Sequence, residues 1–345
     1  MARKFLMTAL ISAVAVLGAA CGGSDDSAEP AAQKKKIALR VAYFGAQANT
    51  YLNAQIQQLR AMGKELGFEL TVFDSGFDPQ KQYNQIQDAT TQKRFNVFIV
   101  APVNGPALVP VLARTDAAGI KVVAISGSLE TDLSNPTPKN QKITAQVLVP
   151  PGTRGTWLGE QMVGACEGID PCKVASVAGI AALPSEQAIS KNFKEVIKDH
   201  PNIKLVADAD GAAYTEAGGL KTTQDILSAH PDLNVLAMAD QSVFGAMIAI
   251  KKAGKTYGID ASSVRLLGIG GGSRAIAEVN AGRWFSTQAG FPRDEARLGL
   301  NYAIQALEGK LTHPAGANPV LVRKLPGVLT KESIADSGVV GQFAI

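Results

Sequence analysis

The sequence has few of the residues on which most catalytic and metal chemistry depends. It contains three histidines and three cysteines among 345 residues, which leaves little material for a zinc centre. Aromatic residues make up only 6% of the chain, so its core must be largely aliphatic. Neither sign of charge dominates, because 34 Lys and Arg stand against 30 Asp and Glu. This balance lacks the basic footprint of a nucleic-acid-binding protein.

Catalytic and cofactor motifs are also missing. The sequence has no phosphate-binding Walker pattern, no GxSxG elbow and no histidine pair at metal-binding spacing. GIGGGS (Gly268–Ser273) superficially resembles a dinucleotide loop, but it lacks the third glycine and does not open a domain. No set of titratable residues converges in the pattern. We therefore expect no cofactor, no metal and no enzymatic activity.

The first 36 residues indicate export and a lipid anchor. Arg3 and Lys4 precede 16 apolar or small residues, fewer than the roughly 20 that span a bilayer, so residues 1–20 are interpreted as a signal peptide. LGAAC, ending at Cys21, resembles the lipobox of bacterial lipoproteins, although Gly18 stands where that motif usually has Leu. Residues 21–36 then form a lipidated flexible tether. The expected location is the outer face of the cytoplasmic membrane or the periplasm; the alternative is a secreted protein whose Cys21 is incidental.

Two further cysteines stand in the short segment CEGIDPC. Cys166 and Cys172 are separated by residues that favour a turn, and an oxidising compartment favours a disulfide between them. A metal site would need more ligands than the segment offers. A catalytic cysteine has no signature here. We therefore expect a small-loop disulfide.

From Ile37 onward, short aliphatic runs alternate with amphipathic segments. This alternation predicts βαβ units and parallel sheets covered by helices. A weak repeat, in which Gln87-Asp88 and Gln224-Asp225 occupy equivalent places, favours two similar lobes. The predicted strands are Ile37–Phe44, Phe68–Asp74, Val97–Ala101, Lys121–Ser126, Val174–Ala178, Ile203–Ala207, Val235–Ala239, Arg265–Ile269 and Phe285–Ala289.

Two segments are the most characteristic of the chain: ELTVFDSGFDPQKQYNQIQDATTQKRFNVFIVAPVN (Glu69–Asn104) and LSAHPDLNVLAMADQSVFGAMIAIKKAG (Leu227–Gly254). They resemble the sugar-type, ribose-binding-like periplasmic binding proteins of bacterial ABC importers. The resemblance implies an α/β fold of two Rossmann-like lobes with parallel sheets and a three-strand hinge, the type I arrangement. It places residues 37–149 and about 291–320 in an N-terminal lobe. Residues 150–290 and about 321–345 form the C-terminal lobe.

The resemblance also implies a function. A monomeric protein would capture a small solute of the sugar or polyol kind between its lobes and deliver it to a membrane ABC permease by hinge closure. Alternatives are a sensory protein for a membrane kinase or chemoreceptor, and a binder of a non-sugar molecule. Cytoplasmic repressors share the fold, but the signal peptide argues against that class.

Candidate ligand residues follow from the same resemblance and from the rule that ligands bind beyond the carboxyl ends of parallel strands. Asn49 and Tyr51 match the family's first ligand loop, and Tyr214 matches an aromatic residue that faces the ligand. For Asp240, an N-cap role is an equal alternative. The full set is Phe44, Gln47, Asn49, Tyr51, Asn104, Ser126, Gln187, Tyr214, Asp240, Gly270 and Gln288.

Three departures from the family pattern predict an altered site. Ser126-Gly127 replaces an Asp-Arg pair that grips sugar hydroxyls, and Gly270 replaces an acidic residue. Gly290 stands where a glutamine is expected, unless Gln288 serves instead. Several polar contacts are therefore missing, and Arg274, Trp284 and Arg293 are candidates for replacing them.

Overall fold

The structure is a computed structural model that describes residues 37–344. The predicted signal peptide, tether and lipidated Cys21 lie outside the described residues. Within the described part, no helix combines the length and the apolar character needed to cross a bilayer. The architecture is built from two parallel sheets, each of which forms one lobe with the helices packed on it.

The first lobe contains six parallel strands in the order β2-β1-β3-β4-β5-β11. Successive residues of β1 point to opposite faces, so Tyr43 packs beneath α1 and α9 whereas Phe44 packs beneath α2 and α3. The elements are β1 (Val41–Gly45), α1 (Thr50–Leu66), β2 (Leu70–Asp74), α2 (Pro79–Thr91), β3 (Val97–Val100), α3 (Gly105–Ala117), β4 (Lys121–Ile125), β5 (Ala145–Val147), α9 (Pro292–Leu307) and β11 (Ala315–Ala317).

The second lobe has a four-stranded parallel sheet in the order β7-β6-β8-β9, covered by α4 and α5 on one face and by α6 and α7 on the other. A two-stranded antiparallel pair, β10-β12, joins it. The elements are α4 (Pro151–Ala165), β6 (Cys172–Val177), α5 (Pro184–Ile197), β7 (Ile203–Ala209), α6 (Glu216–Ala229), β8 (Val235–Ala239), α7 (Asp240–Lys252), β9 (Arg265–Ile269), α8 (Ser273–Asn280), β10 (Thr287–Gln288), α10 (Pro319–Val322), β12 (Val328–Leu329) and α11 (Lys331–Ser337).

The chain crosses between the lobes three times: after β5, after β10 and after β11. The fold class predicted from the sequence is therefore confirmed. Several strands differ by a few residues from their predicted bounds; β10, for example, is Thr287–Gln288 within the predicted Phe285–Ala289. Helix α4 begins early, at Pro151, directly after the predicted end of the N-terminal lobe at residue 149. Proline suits the first helical turn, where its missing N–H leaves no bond unmade. This early start matters for the site, since it places Arg154 on the helix rather than in a linker.

Cys166 and Cys172 form a disulfide at the start of the second sheet. Both side chains are buried against α4, α5 and β6. The bond ties the end of α4 to the first residue of β6, so it fixes the helix that carries Arg154.

Candidate functional site

A cleft separates the lobes at the carboxyl ends of both parallel sheets, where open α/β sheets bind ligands. It is lined mostly by apolar side chains, with a few polar groups converging on it. Within residues 37–344, no cluster of His, Cys, Asp and Glu side chains is arranged to hold a metal ion. The polar lining residues are Asn49, Tyr51, Ser126, Arg154, Ser185, Glu186, Tyr214, Gln241 and Glu295.

Glu295 is the centre of a polar network on the first-lobe side of the cleft. Its Oε1 accepts a hydrogen bond from Tyr51 Oη at 2.8 Å. Its Oε2 accepts from Ser126 Oγ at 2.6 Å and from Gln55 Nε2 at 2.7 Å. The Glu295 side chain is fully buried, and burial raises its pKa against the opposing effect of these donors. The network fixes the Tyr51 hydroxyl at the cleft wall.

The second lobe presents a matching pair of residues. Tyr214 Oη donates to Glu186 Oε1 at 2.6 Å, and burial raises the pKa of that carboxyl. Gly179 makes the arrangement possible, because a Cβ at that position would stand 2.2 Å from the Tyr214 ring. Each lobe therefore contributes one tyrosine whose hydroxyl donates to a glutamate, which is fully buried at Glu295 and half-buried at Glu186. The tyrosine oxygen remains able to accept a further hydrogen bond.

Arg154 is the one arginine that lines the cleft within the described part of the chain. It comes from the first turn of α4 and is partly exposed. The one hydrogen bond that its side chain makes within residues 37–344 is long, from Nη1 to the Ala289 carbonyl at 3.4 Å. Burial raises the pKa values of Glu186, Asp240 and Glu295, and the charge of Arg154 opposes that rise without forming an ion pair within 4.0 Å with any of them. Most of its donors therefore have no hydrogen-bond partner among the residues that the structure describes.

Asp240 lies beneath the cleft rather than in its lining. It is fully buried at the start of α7, where its carboxylate accepts from Gly272 N at 3.0 Å and from Thr287 Oγ1 at 2.8 Å. Burial raises its pKa to about 6 despite these donors. Asp240 therefore holds the loop after β9 against β10 and shapes the cleft floor.

The raised pKa of Asp240 gives a testable dependence on pH. The folded state holds this proton more tightly than the unfolded chain, so the stabilisation is complete below about pH 4 and is lost as pH rises through about 6. Between pH 4.5 and pH 7.5 we expect the difference in unfolding free energy between the wild type and Asp240→Asn to fall by about 2 kcal/mol, since each pKa unit corresponds to about 1.4 kcal/mol and pH 4.5 lies about 1.5 units below the folded-state pKa. Urea unfolding at pH 4.5 and at pH 7.5 measures it.

The control for this experiment is Asp225→Asn, which alters an exposed carboxylate paired with Lys221. This variant should keep the wild-type dependence on pH. An Asp240→Asn profile parallel to that of the wild type would contradict the assignment.

The structure brings five of the eleven proposed ligand residues together at the cleft. They come from four loops and one helix start: Asn49, Tyr51, Ser126, Tyr214 and Gly270. Asn49 also caps α1, because its side chain accepts from Leu52 N at 3.1 Å. Ser126 and Tyr214 both adopt positive φ angles, of 66° and 55°. Such strained backbone concentrates at functional sites, and here it aims both side chains into the cleft.

The other six residues lie elsewhere. Phe44 is fully buried between Phe73 and Phe98, because its place in β1 faces α2 and α3. Gln47 and Gln187 are exposed outside the cleft lining, and Asn104 caps α3. Asp240 lies under the loop after β9. Gln288 is buried, and its amide donates to Gln161 Oε1 and to the Arg154 carbonyl.

The candidate replacements for the missing contacts are also outside the cleft lining. Trp284 is fully buried against Phe244, and Arg274 stacks over the same Phe244 ring. Arg293 donates to the Gln342 carbonyl. The structure explains why a glycine stands at position 290. A Cβ there would lie 2.2 Å from the Gly270 carbonyl oxygen and 2.9 Å from the Tyr51 ring. A glutamine would displace Tyr51.

Sequence reasoning missed five polar residues of the cleft lining: Arg154, Ser185, Glu186, Gln241 and Glu295. One signal was present for Glu295, which shares a helical stripe with Ala296, Gly299, Leu300 and Ala303, all buried. A carboxylate on an apolar stripe is costly to bury unless it is satisfied, so it indicates a polar network.

Side chains of the two lobes meet across the cleft. The rings of Phe77 and Tyr214 lie 5.4 Å apart, and Gln241 Nε2 donates to Thr50 Oγ1 at 3.1 Å. Phe77 also has a positive φ, of 62°. The lobes are therefore in contact at the mouth of the cleft.

The fold and the site define a two-lobed binding protein, and comparison with known proteins gives its family. Residues 43–311 match the family described as periplasmic binding protein domain. The ribose import binding protein of Haemophilus influenzae is 25% identical over 311 residues, which cover 88% of this chain and 94% of that protein. The xylitol-binding protein of Mycolicibacterium smegmatis is 24% identical over 329 residues, covering 92% and 86%.

A solved structure supports the same assignment of the fold. An ABC transporter solute-binding protein from Mycobacterium smegmatis, with bound glycerol, superposes with a TM-score of 0.72 at 23% identity. The match covers 89% of this chain and 99% of that one. The chain belongs to the periplasmic binding protein domain family. This membership confirms the expectation of an extracytoplasmic solute-binding protein rather than an enzyme.

Proposed function

We propose that the cleft binds a neutral, polyhydroxylated molecule of the sugar or polyol class. The observation that carries this proposal is the pair of tyrosine–glutamate contacts, Tyr51–Glu295 and Tyr214–Glu186, which face the cleft from opposite lobes. Oxygen acceptors on both sides and the donors of Arg154 suit hydroxyl groups, which both donate and accept. The apolar lining suits the C–H faces of such a molecule.

Binding in this cleft couples to closure. A ligand favours the closed arrangement only through contacts that it makes there and loses on opening. Tyr51 and Glu295 belong to the first lobe, whereas Arg154, Glu186 and Tyr214 belong to the second. A molecule held by both sets resists separation of the lobes, which is the basis of hinge closure.

Transport is the function that the relatives favour. The matched proteins include ribose import and xylitol-binding proteins, so we infer that this chain delivers its ligand to an ABC permease. Delivery to a membrane kinase or chemoreceptor has no comparable support. The lipobox-like segment ending at Cys21 supports a membrane anchor for the chain, with the folded unit from Ile37 onward carried on the tether. We propose that the protein acts as a monomer.

A thermal-shift and calorimetric screen tests the ligand class. We expect a soluble form beginning at Ala28 to be stabilised by at least one of D-ribose, xylitol, D-galactose and D-fucose, by about 2.7 kcal/mol at 100 times the dissociation constant. Stabilisation only by amino acids, nucleosides or small aromatic molecules would overturn the proposal.

Two variants test the placement of the cleft. Tyr51→Ala and Asn49→Ala should each weaken binding about tenfold, since each removes a hydrogen-bonding group from the cleft wall. Asn84→Ala, on the exposed face of α2, is the matched control and should bind as the wild type does. Unchanged affinity in both cleft variants would place the ligand elsewhere.

A further inference from the structure

The C-terminal residues 341–343, here called the C-terminal strap, connect the two lobes. Gln342 binds the start of α9 in the first lobe. Its side-chain oxygen accepts from Arg293 N at 3.0 Å and from Asp294 N at 3.2 Å, and its Nε2 donates to Asp294 Oδ2 at 2.8 Å. The Phe343 carbonyl binds the start of α8 in the second lobe, where it accepts from Ser273 N at 2.9 Å and from Ser273 Oγ at 3.1 Å.

The strap ends with an aromatic ring inside the cleft. Phe343 is only 4% exposed, lines the cleft and meets Tyr51 edge-on with ring centroids 5.2 Å apart. A Cβ at Gly270 would lie 3.4 Å from the tip of the Phe343 ring. The ring therefore occupies the wall between a ligand loop of the first lobe and the end of β9 in the second.

Glycines in the loop after β9 and on the strap let the two segments lie close together. Gly270 and Gly271 have φ angles of 152° and 68°, which side chains other than glycine rarely adopt. On the strap itself, a Cβ at Gly341 would stand 2.3 Å from Ser273 N. The glycine run and the strap are thus complementary in shape. The region that matches the family ends at residue 311, so the strap lies outside it.

We propose that the C-terminal strap ties the lobes together and supplies Phe343 as the apolar wall of the ligand cleft. This inference rests on the proposed function for its ligand. An aromatic ring stands beside position 270, where the ribose-like pattern has an acidic residue that grips hydroxyls. Because a phenyl ring has no oxygen or nitrogen atom to accept a hydrogen bond, this wall favours a C–H-rich face of the ligand over a hydroxyl group.

The first arm of the test uses no ligand. We expect Phe343→Ala, in the soluble form beginning at Ala28, to increase the radius of gyration measured by small-angle X-ray scattering, because a contact shared by both lobes is lost. Phe343→Leu keeps an apolar side chain and should stay near the wild-type value. Val340→Ala, at a side chain that is 73% exposed just before the strap, is the control. If Phe343→Ala has the same radius of gyration as the wild type, the proposal that the strap ties the lobes together is wrong.

The second arm measures binding of D-ribose, xylitol, D-galactose and D-fucose by calorimetry. Phe343→Ala should weaken the binding of each bound probe about tenfold, and Phe343→Leu by less than threefold. Wild-type affinity in Phe343→Ala overturns the role of the ring in the wall. If the wild type binds none of the four probes, the proposed function fails. The scattering experiment then still tests whether the strap ties the lobes together.

Discussion

Replacing Glu295 by alanine is expected to lower the free energy of unfolding by about 3–5 kcal/mol and to remove measurable ligand binding. The carboxylate accepts from Tyr51, Gln55 and Ser126 in a fully buried setting. Removing it leaves the half-buried hydroxyls of Tyr51 and Ser126 without this acceptor, and the buried amide of Gln55 keeps only Ser126 Oγ. Tyr51 also loses the contact that orients it in the cleft. Chemical denaturation and calorimetry measure the two effects separately.

Glu295→Gln separates charge from hydrogen bonding. An amide keeps one acceptor but turns an NH2 group toward donors, so we expect a smaller loss of about 1–2 kcal/mol. Glu308→Ala is the matched control, because it removes an exposed glutamate just after the same helix. A Glu295→Ala variant as stable as this control would show that the network carries little energy.

The fold was predictable because its signals are local. Aliphatic runs such as Val97–Val100 and Arg265–Ile269 are short, and the segments between them have helical periodicity. Glycines with positive φ, such as Gly67 and Gly119, follow helices where the chain must turn. Parallel sheets need such crossovers, so the alternation fixes the class of fold without any knowledge of long-range contacts.

The site was only partly predictable, because its members meet through the fold. Tyr51 and Glu295 are 244 residues apart in the sequence, and only the packing of α1 against α9 brings their side chains together. Phe44, in contrast, was predicted as a ligand residue but does not line the cleft. It stands at the end of a strand beside the ligand loop, yet the alternation along β1 turns it into the core. The position of a residue near a loop shows that it is close to the cleft. It does not show where the side chain points, because a shift of one residue along a strand turns the side chain to the opposite face of the sheet.

The altered positions have a common structural consequence. Ser126 stands where the ribose-like pattern has a charged residue, and its hydroxyl donates to Glu295. Gly270 and Gly290 allow Phe343 and Tyr51 to approach closely. We therefore propose that polar contacts which the ribose-like pattern places at the ends of strands come here from helices: Glu295 from α9, Glu186 from α5 and Arg154 from α4. Of these three, Arg154 alone brings a positive charge.

Arg154→Met is expected to weaken ligand binding roughly 100-fold while changing stability little. Arg154 offers five donors, and within residues 37–344 its hydrogen bond is the long one to the Ala289 carbonyl. Hydrogen bonds from a charged donor contribute about 1.5–3 kcal/mol, so losing one or two of them accounts for this factor. Calorimetric titration with the sugars or polyols that bind the wild type measures it.

The shape of the guanidinium group provides a sharper test than its charge alone. Arg154→Lys keeps the positive charge but loses the planar fork, so we expect it to recover only part of the lost affinity. Arg114→Met removes an exposed arginine from α3 and should bind as the wild type does, which separates a local contact from a change in net charge. Wild-type affinity in Arg154→Met would assign ligand recognition to the two tyrosine–glutamate pairs alone. Full recovery in Arg154→Lys would instead mean that the cleft needs a positive charge and not a fork of donors. The partial recovery that we expect requires paired oxygen atoms on the ligand, the arrangement that neighbouring hydroxyls of a sugar or polyol present.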